Sequence, residues 1–356
     1  MQPKISIVIP VYSGGLLLQP AIESILSQSL QEFEIVLVDN NAARETKQIA
    51  QIYADKYPNT IRLLHEPIQG LCAARNTGIR SAKGEFIALL DDDDMMMPER
   101  LEKQSRVAEE NPDASIIFCG QNNIERNTDI LLEENVFGAQ SQWKELETLV
   151  KKALSVVLKD RNTELFRFSV PSTMFFSKEK ALKAGLFDTR MDPYYGEDDD
   201  FCIRMFFEGD FLMTPEVLIS YRIRSRLENK IKSPDFIPFS LKQFNKLYQL
   251  MWENLGSEDK RSKEIFRDIA ILELQEAFRR IVRFANNPMD RKLVQILSYR
   301  IWKMAPFNPA YAKQLLKTFF PTRYYPRLFW FGTFRSGKLS PPMPPEFVRE
   351  IFQIPS

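Results

Sequence analysis

The chain has 356 residues, enough for two domains or for one large domain with an appendage. Hydrophobic residues make up 44% and charged residues 27%, ordinary proportions that exclude a wholly disordered or low-complexity chain. Lys+Arg (48) nearly balance Asp+Glu (47), and a net charge of +1 gives, taken whole, no reason to expect nucleic acid, a membrane surface or a strongly acidic partner.

The first third alternates β-rich runs with stretches at helical spacing. Ile5 to Ile9 reads as a strand, Leu16 to Ser27 as a helix, Phe33 to Val38 as a strand and Ala43 to Tyr57 as a helix. Ile61 to Leu64 follows as a strand, Leu71 to Ala82 as a helix and Glu85 to Leu90 as a strand. Pro98 suits a first helical position, for a helix ending near Asn111-Pro112, and Ser115 to Cys119 is one more strand. Asn122 to Arg167 is polar, with one helix expected near Trp143 to Leu158. Beyond it, Val170 to Phe176 is strand-like, Lys178 to Ala184 helical, Gly196-Glu197-Asp198-Asp199-Asp200 opens a helix, and Val217 to Ile223 is a strand. From about Pro238 the pattern is helical, over 240–255, 260–286, 290–304 and 309–319, before a proline-rich tail. Alternating strands and helices predict an α/β fold with right-handed crossovers and a mostly parallel sheet, followed by a mainly helical C-terminal region. The expected boundaries are 1–228, 229–339 and 340–356.

In such sheets ligands bind beyond the carboxyl ends of the strands. There lie Pro10-Val11-Tyr12, Asp39-Asn40-Asn41 and Asp91-Asp92-Asp93-Asp94. Held together, four aspartates repel one another, and a divalent cation with a taste for hard oxygen, Mg²⁺ or Mn²⁺, removes that cost. The alternative is a solvated acidic loop. Glu197-Asp198-Asp199-Asp200 is a second acidic group, which either supplies a general base or simply decorates a helix N-terminus. No strand is followed by Gly-x-Gly-x-x-Gly or a P-loop lysine, which argues against a dinucleotide or a kinase-type cradle. His65 is the only histidine, which excludes two-histidine sites, and its simplest reading is a surface residue. Cys72, Cys119 and Cys202 match neither a disulfide framework nor a zinc site. Met95-Met96-Met97 either wall a sugar pocket or fill core. No run approaches ~20 apolar residues, and the N-terminal apolar run, cut by Pro10 and Ser13-Gly14-Gly15, reads as a strand, so a cytoplasmic location is expected.

Five stretches in order resemble a family 2 glycosyltransferase of the nucleotide-sugar-dependent GT-A type. They are Ile5-Ser-Ile-Val-Ile-Pro-Val-Tyr12, Ile35-Val-Leu-Val-Asp39, Gly70-Leu-Cys-Ala-Ala-Arg-Asn-Thr-Gly78, Ala82 through Asp94, and Gly185-Leu-Phe-Asp188 with Gly196-Glu-Asp198. The resemblance implies that Pro10 and Tyr12 line the nucleotide pocket, that Asp39 pairs with the base, usually uracil, and that Arg75 and Asn76 lie near the diphosphate. It implies that Asp91 to Asp93 form the Asp-x-Asp motif, with Asp92 at the ribose and the cation held by Asp93 and Asp91. Asp198 matches the catalytic base and Glu197 the acceptor side, for a single displacement with inversion. Two stretches depart from the family pattern. Asp39-Asn-Asn-Ala-Ala-Arg-Glu45 replaces an Asp-x-x-Ser type run, and Tyr221-Arg222-Ile223-Arg224 lacks a histidine, leaving Arg222 or Arg224 to grip the diphosphate.

The near-zero charge hides a segregation. Residues Ala277 to Lys338 hold 13 Lys+Arg against one acid, Asp290, a net of +12 that leaves the rest of the chain at −11. The same segment carries 14 aromatics. Aromatics among arginines suit an anionic membrane interface; equally, they pack a helical region whose basic face is merely solvated. Nucleic acid is not expected. The resemblance implies a sugar transfer from a UDP-type donor to a glycan or lipid-linked acceptor for cell-surface polysaccharide, and the basic segment adds the expectation of peripheral attachment at the inner face of a membrane; the rival from another class is a non-catalytic nucleotide-sugar-binding or assembly protein. A sugar-phosphate nucleotidyltransferase would need a glycine-rich loop after the first strand, which Ser13-Gly14-Gly15 matches poorly.

Overall fold

The computed structural model describes residues 3–136, 170–192 and 197–223. The helices expected near 143–158 and beyond 238, the boundaries at 228 and 339, and Arg224 lie outside the described residues. β1 (Ile5–Val11) and β2 (Phe33–Asp39) are buried along their whole length, as strands covered on both faces must be. They join β3 (Ile61–His65) and β4 (Phe86–Leu89) in parallel register, with Ile5 opposite Phe33 and Phe86, and Ile35 opposite Ile61.

Helices cover both faces. Ile5, Ile7, Ile9 and Val11 share a core with Leu18, Ala21, Ile22 and Ile25 of α1 (Leu18–Leu26), Ala50 and Tyr53 of α2 (Arg44–Lys56), and Leu101 and Ala108 of α4 (Arg100–Glu110). α3 (Leu71–Ser81) lies on the other face, so close that a Cβ at Gly78 would overlap the Val8 side chain. That face continues into an aromatic cluster, where the Phe187 ring stacks on Phe201 at 4.2 Å and Phe201 meets Phe176 edge-on at 5.3 Å.

Beyond β4 the pairing becomes mixed. Among the described residues the sheet order is β3-β2-β1-β4, then β8 (Phe175–Ser177), β6 (Ala114–Glu125), β9 (Asp210–Ile223) and β5 (Met95–Met96), with β7 (Leu131–Val136) also on β6. β8 is wedged antiparallel between β4 and β6; β9 runs parallel to β6, and β5 antiparallel to β9. β7 returns antiparallel on β6. Two short helices complete the described residues, α5 (Lys178–Lys183) and α6 (Glu197–Phe206).

Three local expectations need correction. The helix expected from Pro98 begins at Arg100, because Pro98 and Glu99 form a turn whose Pro98 carbonyl accepts from the Ser29 amide. Val170 to Phe176 is not one strand: Pro171–Thr173 form a 3-10 turn, in which the Thr173 amide bonds Val170 O, before β8 starts. β6 runs past Cys119, where the strand was expected to end, through Gln121, Asn122 and Asn123. Pairing with β7 and β9 satisfies the backbone there, while Gln121 Nε2 donates to Asn123 Oδ1 (2.7 Å) and Asn123 Nδ2 to Glu133 Oε2 (2.9 Å).

Candidate active site at the carboxyl ends of the strands

The four aspartates follow β4, at the same edge as Val11 and Asp39, which are paired in register. Each takes a different partner. Asp92 is buried, and its Oδ2 accepts from the amides of Tyr12 and Gly14, both at 2.7 Å, which pins the turn after β1. A Cβ at Gly14 would overlap the Asp92 backbone, so this approach requires glycine. Asp93 is ion-paired with Arg126, whose Nη2 also donates to Ser13 O at 2.9 Å. Asp94 is wholly buried; Ser172 Oγ donates to its Oδ2 (2.5 Å) and the Arg222 amide to its Oδ1 (2.9 Å). Burial, followed by the charge of Asp91, pushes the Asp94 carboxyl up to about 8.

Asp91 reaches the second acidic group through one side chain. Arg75 of α3 is fully buried; its Nη2 donates to Asp91 Oδ1 (3.0 Å) and its Nη1 to Glu197 Oε1 (2.9 Å), while the guanidinium lies 5.2 Å from the Phe187 ring centre. Burial opposes the charge on Arg75, but Asp91, Glu197 and Asp198 outweigh it. Glu197 is pushed up to about 7, by burial first and by Asp198 second. Asp198, half-buried, follows in the first turn of α6. The acidic loop after β4 and the helix carrying the expected base are thus joined by one buried guanidinium.

Other expected residues are placed as follows. Pro10 is buried in β1, and Tyr12 is 52% exposed at its end. Asp39 accepts from the Ala42 amide (2.9 Å) and meets Lys47 Nζ (3.1 Å) and His65 Nδ1 (3.2 Å). Asn76 exchanges two hydrogen bonds with the Phe187 backbone, at 2.7 and 2.9 Å. Arg222 is buried, held by Asp129 (2.8 and 3.2 Å) while donating to Asp93 O at 2.6 Å. Met96 is core, and Met95 Sδ accepts from Arg222 at 3.5 Å. Cys72 is buried, which pushes its thiol far up, as an inert packed residue requires.

Sequence reasoning did not single out Arg126, Asp129, Ser172 or Asp192. The last accepts from the amides of Cys72 (3.2 Å) and Ala73 (3.3 Å), at the start of α3. Mg²⁺ and Mn²⁺ are commonly held by one or two carboxylates together with substrate phosphates. The Asp91 and Asp93 carboxylates fit that hard-oxygen chemistry, and among the described residues no three His, Cys, Asp or Glu side chains converge into an all-protein cage.

The family model described as glycosyl transferase family 2 matches residues 6–172. An uncharacterized glycosyltransferase of Methanocaldococcus jannaschii, MJ1057, is 31% identical over 229 residues, 63% of this chain and 72% of that protein. The chain belongs to glycosyltransferase family 2. The uncharacterized glycosyltransferase EpsJ of Bacillus subtilis is 27% identical over 314 residues, 86% of each chain. Among solved structures, S. aureus TarS 1-349 in complex with UDP superposes with a TM-score of 0.61 at 14% identity, covering 94% of both chains. The mannosyltransferase PcManGT of Pyrobaculum calidifontis, in complex with GDP-Man and Mn²⁺, gives 0.51 at 17% identity, covering 89% of this chain and 88% of that one. At those identities the likeness speaks for the shared GT-A fold, and the mixed sheet flanked by helices agrees with it. The family 2 assignment makes the chain a glycosyltransferase.

Proposed function

We propose that the chain transfers a sugar from a nucleoside-diphosphate donor, UDP-linked by preference, to a hydroxyl of a glycan or lipid-linked acceptor in cell-surface polysaccharide synthesis. The observation that carries this reading is the Arg75 fork, which ties Asp91 of the acidic loop to Glu197 beside Asp198. Such a strut fixes the span between a donor and the base that deprotonates its acceptor, and positioning of this kind contributes much of the barrier reduction in group transfer. Asp39 takes the base edge and Tyr12 flanks the nucleotide. Asp198 accepts the acceptor's proton as the oxygen forms its bond to the anomeric carbon; the bond to the diphosphate breaks on the opposite face, so the configuration inverts. Asp93 and Asp91 would hold Mn²⁺ or Mg²⁺, which when bound stabilises the charge that develops on the departing diphosphate. The test is incubation of the full chain with UDP-, GDP- and dTDP-sugars and Mn²⁺, reading release of the nucleoside diphosphate and the anomeric configuration of the product by NMR. Binding of a donor without release, on every donor and acceptor tried, would establish the non-catalytic rival instead.

The basic, aromatic-rich segment 277–338 supports a second element, peripheral attachment to an anionic membrane at which a lipid-linked acceptor resides. No helix among the described residues is long and apolar enough to cross a membrane. Truncation before Thr318 should weaken co-sedimentation with phosphatidylglycerol vesicles; unchanged sedimentation would remove the membrane from the account.

A further inference from the structure

The side chain on Asp93 comes from the turn that follows β6, and its approach is built. Arg126 opens the turn between β6 and β7, which the Glu125 carboxylate ties down by accepting from the amides of Asn127 and Thr128, both at 2.8 Å. Asp129 of the same turn is held by Arg222, which also donates to the Asp93 carbonyl. The turn, the end of β9 and the acidic loop are therefore one hydrogen-bonded unit. From it the Arg126 guanidinium, with a side chain 17% exposed, lies against Asp93 and the Ser13 carbonyl of the β1 turn. That places a single positive charge on the carboxylate expected to share a divalent cation with the diphosphate, beside the turn expected to flank the nucleotide. The same loop carries Asp91 and Asp92, and Arg75 ties Asp91 to Glu197 beside Asp198, while Arg222 brings a further cation to the Asp93 carbonyl. A diphosphate anion cannot approach so many carboxylates without bringing a cation, and a divalent cation cannot take Asp93 while the guanidinium stays there.

We propose that Arg126 is a charge latch on the donor site: it occupies Asp93 while the site is empty, and it passes to a phosphate oxygen when the nucleoside diphosphate and a divalent cation arrive together. This rests on the donor reading above. A guanidinium fork matches phosphate geometry at least as well as carboxylate geometry, so the exchange conserves its hydrogen bonds. The consequence is ordered binding, in which the divalent cation is admitted with the nucleotide and not before it.

The experiment titrates the full chain with Mn²⁺ alone and with Mn²⁺ plus UDP, following bound Mn²⁺ by electron paramagnetic resonance with correction for Mn²⁺ held by free UDP. In the wild type, Mn²⁺ alone should bind at least ~10-fold more weakly than with UDP present. In Arg126→Gln, Mn²⁺ alone should bind at least ~10-fold more tightly than in the wild type, and UDP at saturating Mn²⁺ at least ~10-fold more weakly, each ~10-fold step being about 1.4 kcal/mol. Equal Mn²⁺ binding by the wild type with and without UDP, at any level including none, would overturn the latch without recourse to a variant. Equal Mn²⁺ affinity in wild type and Arg126→Gln would overturn it as well. Failure to transfer sugar from any donor would sink the enzymatic reading alone, since the Mn²⁺ titrations decide the latch by themselves.

Discussion

The two edges of the parallel strands both bury carboxylates, and they treat them in opposite ways. At the amino edge, Glu34 on β2 receives Ser6 Oγ (2.7 Å), the Lys83 amide (2.5 Å) and Arg62 Nε (2.8 Å), while Ser6 Oγ itself accepts from the Gly84 amide (2.9 Å). Burial works to raise its carboxyl, but these partners outweigh burial and hold it below the ordinary range. At the carboxyl edge, Glu197 and Asp94 sit above theirs, because neighbouring acids add to the cost of burial. A closed network with one acid and enough donors stabilises the fold. A crowd of acids sharing few cations costs stability, and that is tolerated where charge must be received from a ligand.

Breaking the fork at the carboxyl edge should have the largest effect. Arg75→Met leaves Asp91 and Glu197 without their buried cation and is expected to cost ~3–5 kcal/mol in denaturant unfolding and to abolish turnover. Asp198→Asn tests the same edge without the structural cost. Turnover should fall by ~10²–10⁴ while the unfolding midpoint holds within a degree or two, because the side chain is half-exposed. At the amino edge the pattern reverses: Arg62→Met should lose ~1–3 kcal/mol of stability and leave turnover unchanged. Since the Glu34 carboxyl is depressed in the folded state, the stability it contributes is present above its unfolded value and disappears as pH falls through the folded one.

Glu197 sharpens the comparison by pH. Its folded value of about 7 lies above the ordinary 4.5, so between those limits the folded state keeps a proton that the unfolded state releases. Stability is therefore highest below 4.5 as far as this group is concerned and falls as pH rises toward 7, by up to roughly 3 kcal/mol. Glu197→Gln should flatten that fall in urea unfolding at pH 5 and pH 7.5, leaving the part contributed by Asp94, which acts in the same direction. The smallest effect belongs to an exposed pair on α4: Arg106→Ala, which removes the contact with Glu110 at 3.3 Å, should change stability by less than ~0.5 kcal/mol.

The strand and helix order over residues 5–110 was legible because each element carries its own period, and the acidic loop was legible because it ends an apolar strand. What was hidden is what long-range pairing supplies. The expected strand stopped at Cys119, short of Gln121 to Asn123, because their polarity is local, whereas their satisfaction comes from β7 and β9. β5 has two residues and no period at all. Arg126, Asp129 and Ser172 carry no motif; they matter because the β6–β9 pairing and the turn at Pro171 bring Arg126 and Ser172 onto the aspartates and Asp129 onto Arg222. Asn76 and Arg75 are adjacent in a recognisable run, yet Asn76 fastens the Phe187 backbone and Arg75 fastens two acids, a division that only the packing of α3 against the 187–192 loop decides.

The most direct measurement of the central claim separates binding from chemistry in one pair of variants. With Mn²⁺ and the preferred nucleotide sugar, donor affinity and nucleoside diphosphate release are measured for the wild type, Asp198→Asn and Asp93→Ala. The account predicts that Asp198→Asn binds donor within about twofold of the wild type but releases product ~10²–10⁴ more slowly, and that Asp93→Ala loses both. Wild-type release by Asp198→Asn would contradict the assignment of the base, and with it the account of this edge of the sheet as a transferase site.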